Sequence, residues 1–345
     1  MGYPIWLIMA GSYRNSSSAT DHLKIEPFSI LMPCYNEEKN IEKKIESLQN
    51  QIPTDVPVEW IILSDGSDDN TNEILKKYEH FQNFRICYQQ ERRGKPTALN
   101  RMVAMAQYSL ILFADARQEL EKDCIKQLLA AMSDAHIGAA GCMLVHRHKH
   151  SFFRHWINKV KIWESRAGST LGTYGCLYFI RRDLYVPLPG NLILDDLYTP
   201  LQILRQGKKV IINEKAIVYD LPFSDMYKSH RLDRINAGLI QMIKEYRPLL
   251  LSLPGRYKAA LFFQKYAKFF VPPLLIVQFL ILLAGYDRPI VKYVLYAQTA
   301  IVLLGWLLSR LLDIAAVQEL YRIFFRYLKT APALFSRHQD VKWVK

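Results

Sequence analysis

From Phe28 to about Leu221, short apolar runs alternate with segments of helical periodicity, and this alternation limits the fold more than any other feature of the chain. FSILMPCYN is followed by NIEKKIESLQNQ, VEWIILSDGS by TNEILKKYEHF, and FRICYQQ comes next. Such a succession reads as βαβ units on a mostly parallel sheet flanked by helices. YSLILFADA (Tyr108 to Ala116) and IGAAGCMLV (Ile137 to Val145) continue the pattern, with KDCIKQLLAAM as the helix between them. Each strand ends in polar residues. Ligands of open α/β sheets bind beyond the carboxyl ends of the strands, so NEE, SDGSDD and ADARQ are expected to meet in one crevice.

Beyond Pro254 the pattern changes. Phe269 to Gly285 and Tyr293 to Ser309 contain no charged residue, and each is long enough to cross most of a ~30 Å hydrocarbon core at ~1.5 Å per residue. The brief link GYDRPI makes them a helical hairpin that returns to its starting side. Arg256, Lys258, Lys265 and Lys268 flank one end and Arg310, Arg322, Arg326 and Lys329 the other, so the positive-inside bias places both ends in the cytosol. The tail LYRIFFRYLKTAPALFSRHQDVKWVK mixes aromatic and basic residues at helical spacing, as in a helix lying among lipid headgroups. The first ten residues, MGYPIWLIMA, are too short to span a bilayer and lack the basic start of a signal peptide; they read as the end of a membrane helix or an interfacial foot. The expected divisions are a membrane-proximal segment over 1–26, a catalytic domain over 27–250, and a membrane hairpin with an interfacial tail over 251–345.

A net charge of +13 calls for an anionic partner. The Lys and Arg residues gather beside the apolar stretches rather than on an aromatic-interleaved stripe, which favours lipid headgroups and phosphorylated substrates over nucleic acid. Cys34, Cys87, Cys124, Cys142 and Cys176 are odd in number and form no C-x-x-C pair, which argues against a disulfide framework and a zinc site. They read as reduced cytosolic thiols, with Cys34 beside a candidate site.

Several strand ends carry chemistry. In PCYNEE, the Tyr35 ring can stack on a base, and Asn36 with Glu37 can hold ribose or start the following helix. In SDGSDDNT, Asp65 can accept from a base or ribose, Gly66 permits a tight turn, and Asp69 with Thr71 reads as helix-start chemistry. In RRGKPTALN, Lys95 opens a helix after a Gly turn and can meet a diphosphate; the P-loop spacing is absent. Asp115, in FADARQ, is placed to ligate Mg²⁺ or Mn²⁺ through oxygen, or to end a strand in a solvated turn. Small residues such as Gly175 in GSTLGTYGCLYFIRRDLY allow close approach of an acceptor. Asp195 and Asp196 in ILDDL supply a candidate base, and on an extended segment their side chains would point to opposite faces. Arg231 and Arg234 in KSHRLDRINAG share a helical face able to grip phosphate oxygens.

YNEE, SDGSDDNT, GKPTALN, FADARQ, GTYGCLYFIRRDLY, ILDD and the R-x-x-R segment, in that order and followed by a membrane hairpin, resemble the family 2 glycosyltransferases of the hyaluronan, chitin and cellulose synthase kind. The likeness runs from Phe28 to Gly238. It implies a GT-A nucleotide-diphospho-sugar fold and inverting transfer from a nucleotide sugar, most simply a UDP-sugar, to a glycan or lipid-linked acceptor at the cytoplasmic membrane face. It assigns Tyr35 and Asp65 to base and ribose, Lys95 to the diphosphate, Asp115 to a divalent cation, and Asp196 to proton removal. Two departures stand out. The second carboxylate of the family's D-x-D is Arg117 here, which sets a cation beside the diphosphate. The aromatic of Q-x-x-R-W is absent from Arg231-Leu232-Asp233-Arg234-Ile235. Two rival readings are a single-step polyprenyl-phosphate or lipid glycosyltransferase, distinguished by product size, and a non-catalytic sugar-nucleotide-binding subunit, distinguished by binding without turnover.

Overall fold

β1 (Phe28–Cys34), β2 (Val58–Asp65) and β3 (Phe84–Gln89) run parallel, with β4 (Leu110–Ala114) parallel to β1 on its other side. This is the βαβ half that the alternating pattern predicts, in a computed structural model that describes residues 26–147, 152–221, 225–311 and 315–334. The helices between these strands are α1 (Ile41–Gln49), α2 (Thr71–Lys76) and α3 (Lys95–Met105). β5 (Glu119–Leu120), α4 (Cys124–Met132), β6 (Ile137–His146), α5 (Phe152–Arg166), β7 (Leu177–Arg181), α6 (Asp195–Arg205) and β8 (Lys209–Asp220) follow. The sheet has eight strands in the order β3-β2-β1-β4-β7-β6-β8-β5.

The second half of the sheet is mixed. β7 lies antiparallel between β4 and β6, with Leu112 opposite Phe179 and Ala140 opposite the same residue. β6 and β8 are parallel, and β5 closes the edge antiparallel to β8. Ile137 to Val145 therefore runs in the same direction as β1–β4, as the alternating pattern predicts, although β7, pointing the other way, separates it from them. β4 is wholly buried and β7 nearly so, and a strand covered on both faces is an unbroken apolar run whichever way it points. Run composition therefore carries no direction. Trp60 stacks on Phe84 with ring centroids 4.9 Å apart, and Phe28 meets Phe179 edge-on at 5.2 Å, joining the two halves of the core beneath one helix layer.

The chain divides into two compact units, one of residues 1–232 with 248–254 and one of residues 233–247 with 255–345. α7 (Asp225–Glu245) contributes to both, and α8 (Arg247–Ser252) follows it. The second unit is helical: α9 (Gly255–Leu261), a π-helical turn (Phe262–Tyr266), α10 (Ala267–Ala284), α11 (Pro289–Leu311) and α12 (Ala315–Thr330). The helix over Gly255–Ala284 and the stretch Pro289–Leu308 are each long and apolar enough to cross a membrane. Leu274, Ile281, Ile290 and Ile301 are all more than 60% exposed, which places them outside any core. Residues 1–25 and the tail past 334 lie outside the described residues, so the expected interfacial foot does too.

Candidate active site

The loops after β1 and β2 are sewn to each other. Asn36 adopts a left-handed φ of 54°, which Asn tolerates, and its amide exchanges two hydrogen bonds with Asp68, Nδ2 to Oδ1 at 2.5 Å and Oδ1 from the Asp68 N–H at 3.0 Å. The Glu37 N–H reaches Thr71 Oγ1 at 2.8 Å, and the Glu38 N–H reaches Asp69 Oδ2 at 3.1 Å. Asp69 also accepts from the Thr71 N–H at 2.9 Å, a helix-start contact. Tyr35 lies beneath the Arg92 guanidinium, 4.0 Å from ring centroid to Cζ. Glu37 binds Asn40; burial raises its carboxyl, and the Asn40 hydrogen bond and Arg117 oppose that rise.

Asp65 is 5% exposed and hydrogen-bonded through both carboxylate oxygens. Its carboxylate accepts the N–H groups of Arg93 and Gly94, both at 2.8 Å, and Gln89 Nε2 at 3.1 Å. It thus pins the turn that delivers Lys95 to the first position of α3. Gly66 makes this possible: it has a φ of +73°, and a Cβ there would stand 2.7 Å from the Arg92 nitrogen.

Lys95 is the centre of the crevice. Its Nζ donates to Asp115 Oδ1 at 2.9 Å and stands 3.3 Å from Asp195 Oδ2, an ion pair outside hydrogen-bond geometry. Burial disfavours the ammonium, yet Asp115 and Asp195 outweigh it and hold the Lys95 pKa above its ordinary value. Burial likewise lifts Asp195, and Lys95 draws it back only in part. Pro33, Phe113, Gly175 and Tyr178 share the lining. Asp195 and Asp196 occupy the first turn of α6, so the expected extended segment is corrected: they diverge by ~100° of helical rotation rather than by opposite faces. Tandem carboxylates in a first turn also suit the helix dipole. Asp195 turns to Lys95. Asp196 turns to Gly175, where a Cβ would lie 3.0 Å from Asp196 Cβ and 3.6 Å from Oδ2.

Beyond Gly175 the surface becomes cationic. Buried Asp220, at the end of β8, receives Arg231 Nη1 at 3.2 Å and has Arg154 Nη2 at 4.0 Å, while Arg154 also lies 5.6 Å from the Tyr174 ring. Arg234 belongs to the second unit. Arg117 is half-buried two residues past Asp115. Among the described residues no three His, Cys, Asp or Glu side chains gather into a metal-binding group. The donor set available to a hard cation is the Asp115 carboxylate, whose oxygens suit Mg²⁺ or Mn²⁺ when phosphate oxygens complete the shell.

Some contributors were missed in the sequence. Lys44 is 2% exposed and donates to the Gln118 carbonyl at 2.8 Å, bracing the FADARQ turn from below. Its signal was present: Ile41, Lys44, Ile45 and Leu48 mark one buried face of α1 at helical spacing. Arg154 and Asp220 had no such signal. The five cysteines are free; Cys34 is buried with its thiol pushed up to about 12 by that burial, away from reactivity.

Residues 29–186 match the family model described as Glycosyl transferase family 2. The poly-beta-1,6-N-acetyl-D-glucosamine synthase of Staphylococcus aureus strain COL is 35% identical over 101 residues, 29% of this chain and 24% of its own length. The poly(ribitol-phosphate) beta-N-acetylglucosaminyltransferase TarS of Staphylococcus aureus strain Mu50 is 25% identical over 203 residues, 56% of this chain and 35% of its own. The chain thus spans about a quarter to a third of the length of these relatives. Among solved structures, the mannosyltransferase PcManGT from Pyrobaculum calidifontis, in complex with GDP-Man and Mn²⁺, matches with a TM-score of 0.69 at 20% identity. That match covers 97% of this chain and 95% of the other, a likeness of fold, and the fold is GT-A.

Proposed function

We propose, on the premise that residues 29–186 are a family 2 glycosyltransferase domain, that this chain transfers a sugar from a nucleotide-diphosphate sugar to a glycan or lipid-linked acceptor, with inversion at the anomeric carbon. The observation that carries the reading is the meeting, in one crevice, of Lys95 and Asp115 with the tandem carboxylates of α6. Cations for a leaving diphosphate and a base for an incoming hydroxyl are what single-displacement transfer requires.

In the proposed step, Asp196 takes the acceptor hydroxyl proton as that oxygen bonds to the anomeric carbon. The bond from that carbon to the diphosphate oxygen breaks, and the nucleoside diphosphate leaves toward Lys95 and Arg117. Asp195, committed to Lys95, is the weaker candidate for the base. Tyr35, Asn36, Glu37 and Asp65 form the nucleoside end, Asp65 by holding the Arg93–Gly94 turn. Arg231 and Gly175 belong to the acceptor end. A divalent cation at Asp115 would supply positive charge to the leaving phosphates.

The apolar, exposed helices over Gly255–Ala284 and Pro289–Leu308 support anchoring in the cytoplasmic membrane with the catalytic domain in the cytosol, where nucleotide sugars are made available. Membrane lipids are thus partners by this reading, and nucleic acid is not. The test is nucleotide release by the full chain in detergent, offered a panel of UDP- and GDP-sugars with and without chelator. Release with one donor, lost in Asp196→Asn, is the expected result. Binding without turnover in every case would make the chain a sugar-nucleotide-binding subunit instead.

A further inference from the structure

In the second unit a cation is held without an anion among the described residues. Lys268, in the first turn of α10, donates to Asn236 Oδ1 at 3.4 Å and lies 5.3 Å and 4.9 Å from the ring centroids of Phe269 and Tyr327. An amide oxygen and two aromatic faces steady an ammonium but leave its charge uncancelled. Lys265, one turn earlier on the same side of the helix, adds a second positive charge. The neighbouring Arg326 is already matched by Asp233, at 2.8 Å.

Asn236 supplies the independent observation. It is 1% exposed, and its Nδ2 has no hydrogen-bond partner among the described residues. The amide cannot be rotated to relieve this. Lys268 donates to the oxygen, which fixes the orientation and leaves the NH₂ as a buried donor seeking an acceptor. A buried donor left unsatisfied costs about 1–3 kcal/mol, so its retention beside an uncancelled ammonium needs a reason. Nearby, Tyr266 Oη donates to the Leu239 carbonyl at 3.1 Å, tying α7 to the turn before α10.

We infer that Lys268 and Asn236 bind the phosphate group of an anionic lipid, its oxygens accepting from Nζ and Nδ2 together. The lipid, rather than free phosphate, follows from what lies along the helix. Val271 and Leu275 stand three and seven residues after Lys268, on the same helical face, and are 49% and 40% exposed. An acyl chain descending from a phosphate at Lys268 would cover both. The inference rests on the membrane reading above, and its test separates the two.

The full chain, delipidated in neutral detergent, is titrated with phosphatidylglycerol, with phosphatidylcholine and with inorganic phosphate, and bound lipid is read by native mass spectrometry. Phosphatidylglycerol should bind at least about tenfold more tightly than phosphatidylcholine. Lys268→Gln should abolish that preference. Asn236→Asp, nearly isosteric, should do the same by supplying Lys268 with an internal anion, and it guards against a Lys268 variant that fails to fold. Equal affinity for the two lipids, or a preference that survives both substitutions, overturns the phosphate site while leaving membrane anchoring intact. Inorganic phosphate binding as tightly as the lipid overturns the lipid assignment. A chain that stays monodisperse without detergent and takes up neither lipid overturns the membrane reading, and the site with it.

Discussion

Asp195 lies 3.3 Å from the Lys95 ammonium while Asp196 turns to Gly175, so two adjacent carboxylates meet different surroundings and should fail differently when altered. Asp196→Asn is expected to lower the transfer rate ~10²–10⁴-fold with nucleotide affinity retained, because general-base catalysis supplies about that factor and the donor contacts lie on other strand ends. Asp195→Asn should cost less, and paired measurements of rate and nucleotide affinity distinguish the two. Lys95→Met removes the ammonium from both Asp115 and Asp195, a loss of about 1.5–3 kcal/mol at neutral pH. The pH dependence has a definite sign. Burial keeps the folded Asp195 carboxyl above its ordinary value of 3.8, so the stability it contributes is full below about that pH and falls as pH rises through the folded value. Without Lys95 that value climbs further. The deficit of Lys95→Met, read as the difference in Tm from the parent chain, should therefore be largest near neutrality and shrink on acidification. A deficit that grows in acid would show that Lys95 does not face these carboxylates.

Three loops at the ends of β1, β2 and β3 behave as one piece, since Asn36, Glu37 and Glu38 bind the loop after β2 and Asp65 binds the turn after β3. At Gly66 the loop after β2 presses on the turn after β3. Gly66→Ala would place a methyl 2.7 Å from the Arg92 nitrogen at a φ of +73°, so a loss of about 1–3 kcal/mol is expected in urea unfolding, together with weaker donor binding as the Lys95 turn shifts. The first four strands and their helices were legible because alternation and helical periodicity each leave a mark on composition. So was the convergence of Tyr35, Asp65, Lys95 and Asp115, since strand ends on a parallel sheet share one edge. The direction of β7 was not, because Leu177 to Ile180 are buried from both sides and read alike in either sense. The helical start of α6 was hidden by the Pro-rich run before it and by Pro200 within it. Arg154 and Asp220 are brought together across many residues of chain, which no local pattern can announce.

The two units differ in what they present to solvent: the first buries its apolar runs, and the second exposes them along α10 and α11. Membrane insertion is the expected resolution, with the basic flanks on the cytosolic side. A reporter fused after Lys345 should therefore behave as cytosolic, and a tag at Tyr286 to Arg288 should react with an impermeant reagent added outside intact cells. Labelling only after the cells are opened would reverse the orientation. The reversed strand β7 has a different consequence, one for inheritance and engineering. It stands as a seam between β1–β4, which carry the loops of Tyr35, Asp65, Lys95 and Asp115, and β6 with β8, which lead to Arg154, Asp220 and Arg231. If the proposed division of the crevice holds, segments grafted beyond the seam should alter its acceptor end and leave its nucleoside end in place, so long as Phe179 and Tyr178 of β7 keep their packing on Phe28 and Phe113.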